Sequence, residues 1–347
     1  MARSRPHSGP TMHDVAAAAG VSQATVSLVL NQASGGRFSE ETRVRVQDAV
    51  QELGYRTNAH AKTLRDGVSG IIGFLGDAVA TTPFAGKIIE GAQERAWEDG
   101  LLLLTMNTGG NKALETASLD SMLSYKVAGV VYAGMYHRRL DVPEALSGVP
   151  SVVLNSQDRQ RRLPSVAPDE ELGGYTATRR LLDAGHRRVA MINIETLESE
   201  LPAAVGRFNG YVRALAEAGL PANPDLVRFG GGNELDGFTH TMDLMRGGHP
   251  PTAIFCANDR TAWGAYQAAS ELRISIPDDV SIVGFDNQET LAPHLRPGLT
   301  TLELPFIEMG RRAVDLILQG AEPDGTVEYM ACPLVERNSV THPKELP

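Results

Sequence analysis

The 347 residues predict an N-terminal all-α helix-turn-helix head followed by a bilobal α/β core built from two doubly wound parallel sheets. Three observations carry this expectation. Two short helical patterns between residues 11 and 31 share a tight turn containing Gly20. From Ile71 onward, short continuous apolar runs alternate with helical periods, the mark of parallel strands covered on both faces. The chain is also too long for one core, since single domains run to roughly 100–200 residues.

In the head, Thr11 is an N-cap with Asp14 three residues on, a variant of the capping box that starts a helix over Met12–Ala19. Gly20 ends it and Val21 packs inward. Ser22 caps a second helix that begins at Gln23 and closes near Asn31. A third helix is set up by Ser39 with Thr42 and by Val44, Val46, Ala49, Val50 and Leu53, ending at Gly54. Spacing alone leaves the purpose of the first pair open, because an Ala-rich helix, a glycine and another helix also describe ordinary core packing. The polar segment Thr57–Arg65 reads as a linker with a latent helix, leading to Gly67, Ser69 and Gly70.

In the core, strands are expected at 71–75, 101–105, 129–132, 151–154, 189–194, 226–229, 253–256 and 281–285. Helices are expected near 84–98, 112–124, 171–184, 207–218, 236–246, 259–272 and 306–319. That is enough for two lobes. Folds of this type bind ligands at the carboxyl ends of strands, so two facing lobes make a cleft.

Composition narrows the function class. With 42% hydrophobic and 21% charged residues the chain is an ordinary globular one. No apolar run approaches the roughly 20 residues needed to cross a bilayer. The first ten residues run into Pro6 and Gly9 instead of an apolar segment, so no secretory signal is expected and the protein is placed in the cytoplasm, associated with the nucleoid. Cys256 and Cys332 fit no disulfide framework or zinc spacing and read as buried small hydrophobes; no metal and no cofactor are expected. The net charge of −10 is uneven: the first 66 residues hold eight Lys or Arg against six acidic residues, leaving a net −12 on the other 281. An acidic body repels phosphate, so any contact with nucleic acid is confined to the head. The GxSxG, HExxH, P-loop and GxGxxG patterns are absent, which argues against an enzyme.

The sequence Thr-Met-His-Asp-Val-Ala-Ala-Ala-Ala-Gly-Val-Ser-Gln-Ala-Thr-Val-Ser-Leu-Val-Leu-Asn at 11–31 resembles the DNA-binding signature of the LacI/GalR family of bacterial transcriptional regulators. Four further stretches agree in order: Pro83-Phe84; Gly-His-Arg-Arg-Val-Ala at 185–190 with Gly-Arg-Phe-Asn-Gly-Tyr at 206–211; Ala-Asn-Asp-Arg-Thr-Ala at 257–262; and Pro-Asp-Asp-Val-Ser-Ile-Val-Gly-Phe-Asp-Asn at 277–287. The resemblance covers nearly the whole chain from Thr11 to Val340. It implies a periplasmic-binding-protein-like core behind a DNA-binding head, acting on a palindromic operator as a homodimer.

On this resemblance the second helix lies in the major groove, with Gln23 and Ala24 reading bases and Ser22, Thr25 and Ser27 anchoring phosphates. Thr11, Leu28, Asn31, Asn58 and Lys62 complete the expected DNA surface. Leu64 is the residue the family wedges into the minor groove. Leu28 stands where the family commonly has arginine, and Thr57 where it usually has proline, so guanine reading and the start of the hinge are altered. Val21, Val26, Val29 and Leu30 hold the helices together and read nothing.

The expected boundaries are a disordered tail at 1–10, the helix-turn-helix domain at 11–57, a hinge at 58–67, the effector core at 68–340 and a tail at 341–347. Within the core the N-lobe is expected at 68–167 plus 299–329 and the C-lobe at 168–298 plus 330–340. The family implies an effector between the lobes, and Phe84, Asn155, Arg207, Asn258, Asp259 and Asp286 stand at the matching positions. Hydroxyl-seeking groups with one flat apolar surface suit a sugar or oligosaccharide that releases the repressor. For each polar residue alone the competing reading is a cap or a loop: Asp259 fits the cap of the helix that starts there, and Asn258 fits a turn. The alternatives are a purine-type corepressor and a sugar-binding protein of the periplasmic type without a regulatory role. Arg159, Arg161 and Arg162 read as a solvated loop, and Trp263 as packing or a dimer face.

Overall fold

A computed structural model describes residues 10–30, 38–55, 68–82, 86–320 and 322–344. Asn31, Asn58, Lys62, Leu64 and Phe84, with the expected hinge, lie outside the described residues. The chain divides into two compact units, one ending at Ser69 and the other running from Gly70.

The first unit contains α1 (Met12–Ala19), α2 (Gln23–Leu30) and α3 (Glu40–Leu53). The Thr11 side chain accepts from Asp14 N–H while Asp14 accepts from the Thr11 backbone, so the expected capping box forms. Gly20 and Gly54 close α1 and α3 in the left-handed region, at φ 64° and 62°, where a side chain is disfavoured. Val15, Ala16, Ala19, Val26, Val29, Val46 and Ala49 form the core, with Val21 and Leu30 packed against it. Four of these spacers therefore hold the helices together as their pattern implies.

The second unit holds two six-stranded sheets. Strands β1 (Ile71–Gly76), β2 (Leu102–Asn107), β3 (Gly129–Ala133), β5 (Ser151–Leu154), β7 (Ser165–Pro168) and β13 (Val327–Met330) make the first, in the order β13-β7-β5-β3-β1-β2, parallel throughout. The second runs β14-β12-β11-β10-β8-β9, from β8 (Val189–Asn193), β9 (Val227–Phe229), β10 (Ala253–Cys256), β11 (Ser281–Asp286), β12 (Thr300–Glu303) and β14 (Leu334–Val335). Only β14 is antiparallel to its neighbour in that sheet. A ribbon of β4 (Arg139–Leu140) and β6 (Gln157–Asp158) sits beside the first sheet.

The chain crosses between lobes after β7, after β12 and after β13. The expected return to the N-lobe at 299 is corrected: Thr300–Glu303 pairs with β11 in the second sheet, because its buried side chains continue that lobe's core. Helices α4 (Gly86–Glu98) and α10 (Phe306–Leu318) cover one face of the first sheet and α5 (Lys112–Ser124) contributes to the other. In the C-lobe, α6 (Glu170–Asp183) packs on α7 (Pro202–Glu217), and α8 (Glu234–Arg246) on α9 (Asp259–Leu272).

The α6–α7 contact depends on glycine. A Cβ at Gly210 would stand 2.1 Å from the Glu171 carbonyl, and one at Gly174 would stand 2.3 Å from that of Arg207. Neither backbone can retreat without disturbing the buried residues between the helices. Gly210→Ala is expected to cost about 3 kcal/mol, lowering the melting temperature by roughly 6–12 °C in a calorimetric scan.

Candidate functional site

The carboxyl ends of both sheets face an interlobe cavity of about 420 Å³. Thr82, Met135, Tyr136, His137, Arg138 and Asn155 line it from the N-lobe; Arg207, Asn258, Arg260, Asp286 and Gln288 line it from the C-lobe, and Leu304 and Phe306 add apolar wall. Asn155 and Asp286, at the ends of β5 and β11, both have positive φ, 52° and 108°. Non-glycine residues held there cost of order 1–3 kcal/mol, and such strain concentrates where a ligand is met.

Beneath the cavity runs a buried polar chain. Arg207 Nε donates to Glu170 Oε2 at 2.7 Å, and its Nη1 donates to the Ala257 carbonyl and stands 3.8 Å from Asp286 Oδ1. Its guanidinium lies over the Phe285 ring, 3.8 Å from the centroid. Glu170 Oε1 lies 3.3 Å from His137 Nδ1, so a C-lobe carboxylate is held by one group from each lobe. Burial pushes the Glu170 carboxyl up, but the Arg207 charge and the hydrogen bonds from His137 and Arg207 outweigh it and hold the group below the usual carboxylate range. Asp286 has weaker company: burial, only partly opposed by Arg207 and a 3.2 Å bond from Gln288 Nε2, pushes it up to about 6.

Four expected effector residues reach this cavity: Asn155, Arg207, Asn258 and Asp286. Asn155 uses its amide nitrogen on the Gly134 and Met135 carbonyls. Asn258 is half committed, since its Oδ1 caps α9 at Thr261 N–H and its Nδ2 donates to Gly232 O. Asp259 is a correction. It is 0% exposed and does not line the cavity. Its Oδ1 accepts from the Thr301 hydroxyl at 2.6 Å and its Oδ2 from Gln288 N–H at 2.7 Å, so it braces the strands that carry Asp286. The helix cap falls to Asn258, one position earlier. His137, Glu170, Gln288, Arg138 and Arg260 are cavity residues the sequence did not single out.

The three arginines on the wall are each held by a carboxylate: Arg207 by Glu170, Arg138 by Asp77, and Arg260 by Glu234 with two bonds of 3.0 Å. Two arginines of the cationic loop expected at 159–162 are also paired, Arg159 with Asp141 at 3.0 Å and Arg162 with Asp158 at 3.4 Å. Both cysteines are buried and free.

In the head, Ser22, Gln23, Ala24 and Leu28 lie on the exposed side of α2, opposite the buried Val26 and Val29, with Thr25 and Ser27 half-buried at its margins. The Ser22 hydroxyl caps the helix at Thr25 N–H and lies 2.9 Å from the Thr25 hydroxyl. The Thr11 hydroxyl donates to Asp14 Oδ2 at 2.8 Å. Gln23 Nε2 lies 3.2 Å from His13 Nδ1.

Residues 11–58 match the model of bacterial regulatory proteins of the lacI family, and residues 178–340 match that of a periplasmic binding protein-like domain. The HTH-type transcriptional regulator GalR of Salmonella typhimurium is 33% identical over 344 residues, covering 96% of this chain and 97% of that one. A lac repressor dimer bound to operator and the anti-inducer ONPF shares 27% identity and a TM-score of 0.80, over 96% of this chain and 100% of that one. The transcriptional regulator CelR in complex with cellobiose shares 28% identity and a TM-score of 0.65, over 95% and 99%.

Proposed function

The chain belongs to the LacI family of bacterial regulatory proteins, and on that premise we propose that it is an operator-binding repressor released by a neutral, carbohydrate-like effector. The observation that carries the effector class is the pairing of the wall arginines. An anionic ligand would find each of these arginine charges already matched by a carboxylate, whereas hydroxyl groups find acceptors in Asp286 and the Asn155 side-chain oxygen, and a donor in Gln288. Met135, Leu304 and Phe306 supply the apolar face that a sugar ring needs. The CelR–cellobiose complex is a structural neighbour with such a ligand.

Lobe-crossing contacts connect the cavity to the response. Lys87 Nζ meets Glu289 at 2.6 Å, Arg139 meets Glu200 at 3.6 Å, and His137 meets Glu170 between them. A ligand that favours one lobe arrangement shifts the population by its difference in affinity and no more. We assign base reading to Gln23 and Ala24 and phosphate contacts to Thr11, Ser22, Thr25 and Ser27, with Leu28 adding apolar contact; the roles of Asn31, Asn58, Lys62 and Leu64 rest on the family resemblance. The working unit is a homodimer, in keeping with the dimeric lac repressor neighbour and with the exposed apolar surface at Leu235, Trp263, Trp97 and Leu102. It acts in the cytoplasm, at the nucleoid; among the described residues no helix is long and apolar enough to cross a membrane.

A thermal-shift and mobility-shift series tests the effector class. Neutral mono- and disaccharides are expected to raise the melting temperature by roughly 5–10 °C at a hundredfold excess over Kd and to release operator. Binding confined to sugar phosphates or purine bases overturns the neutral class, and a sugar that tightens operator binding reverses the sign of control.

A further inference from the structure

The exposed face of α2 carries one long hydrogen-bonding side chain, Gln23, in the first turn, where major-groove base edges are met. The helix has no ionisable residue, and the hydroxyls of Ser22 and Thr25 are engaged with each other. Among the described residues of this face, discrimination by hydrogen bonding therefore falls on one amide. A free glutamine amide reads poorly by itself, because a half-turn about its last bond exchanges donor and acceptor.

The neighbour that prevents this exchange comes from α1. His13 Nδ1 lies 3.2 Å from Gln23 Nε2, and both side chains are exposed. An amide nitrogen only donates, so Nδ1 is the acceptor in this contact. One of the two amide N–H groups is thereby used. The other remains beside the carbonyl oxygen, and together they present a donor and an acceptor in a fixed order. Adenine offers the complement in the major groove, N7 to accept and the N6 amino group to donate.

We infer that His13 is a specificity-positioning residue, which holds the Gln23 amide in the orientation that reads an adenine in each half-site. The inference rests on the reading of Gln23 as a base contact. It gives His13 no bond of its own to a base or a phosphate.

The test is competition fluorescence anisotropy with the full-length protein on a selected operator and its single base-pair variants, for wild type, His13→Ala, Gln23→Ala and the double variant. Wild type is expected to show one A·T position per half-site whose replacement weakens binding at least tenfold, and Gln23→Ala should abolish that discrimination. His13→Ala should reduce it about fivefold at that position alone, with unchanged affinity for unrelated DNA and an unchanged salt slope. In the Gln23→Ala background His13→Ala should then add nothing. A uniform loss across all sequences with a shallower salt slope marks a phosphate contact and overturns the positioning role, as does unaltered discrimination in His13→Ala. Retained discrimination in Gln23→Ala overturns the reading of Gln23 itself and the inference with it.

Discussion

Arg207→Ala is expected to lower the melting temperature by about 10 °C and to leave no measurable effector binding, the largest loss of any single substitution in the cavity. The reason is Glu170. Its carboxylate is buried and kept ionised by Arg207 and His137, so removing the guanidinium strands a charge away from water. Breaking a buried pair from one side costs about 3–5 kcal/mol, and a domain of this size loses roughly 2–4 °C for each. Deleting the side chain also removes its stack on Phe285 and its bond to the Ala257 carbonyl. A second variant separates charge from packing. Glu170→Gln combined with Arg207→Met takes both charges away and fills most of the space, so it should recover at least half of the lost stability, because a hydrophobic replacement of a buried ion pair is often neutral. Effector binding should stay lost in the double variant. If the double variant melts no higher than Arg207→Ala, the ion pair is not what Arg207 contributes.

Why this pair escaped the sequence is instructive. Glu170 follows Asp169 and precedes Glu171 at the start of α6, where acidic residues complement the helix dipole and call for no other explanation. Its partner lies 37 positions away, on a helix brought near only because Gly174 and Gly210 let α6 and α7 touch. Strands with long apolar runs, such as Ile71–Gly76 and Ser281–Asp286, were legible because both faces are covered. The ribbon Arg139–Leu140 with Gln157–Asp158 was not: two residues per strand carry no periodicity. At 258–259 the sequence pointed to the correct place but not to the correct face. Asn258 is the extended cap residue and borders the cavity, while Asp259, the first residue of the helix, points into the lobe. The head was read more fully, because caps, left-handed glycines and the α2 burial pattern are local signals.

Asp286→Asn is expected to make the protein more stable at neutral pH and deaf to its effector while it still binds operator. Two directions of pH dependence follow from one carboxyl. Its pKa is pushed up to about 6 by burial, above the ordinary 3.8. A group that binds its proton more tightly folded than unfolded stabilises the fold below the unfolded value and loses that contribution as pH rises through the folded one. Wild type should therefore gain less stability between pH 4 and 7 than Asp286→Asn, and the asparagine variant should melt higher at pH 7.5. The gain is reinforced at Asp259, whose carboxyl is raised well above its usual range by burial and by the Asp286 charge. Effector binding runs the other way, because hydroxyl groups of a neutral ligand need the ionised carboxylate as acceptor. Isothermal titration should show affinity steady from pH 8 to 7 and about tenfold weaker at pH 5, one unit below the midpoint. A flat pH profile would place the hydroxyl contacts elsewhere on the wall. An asparagine variant that still binds the sugar would take Asp286 out of the site.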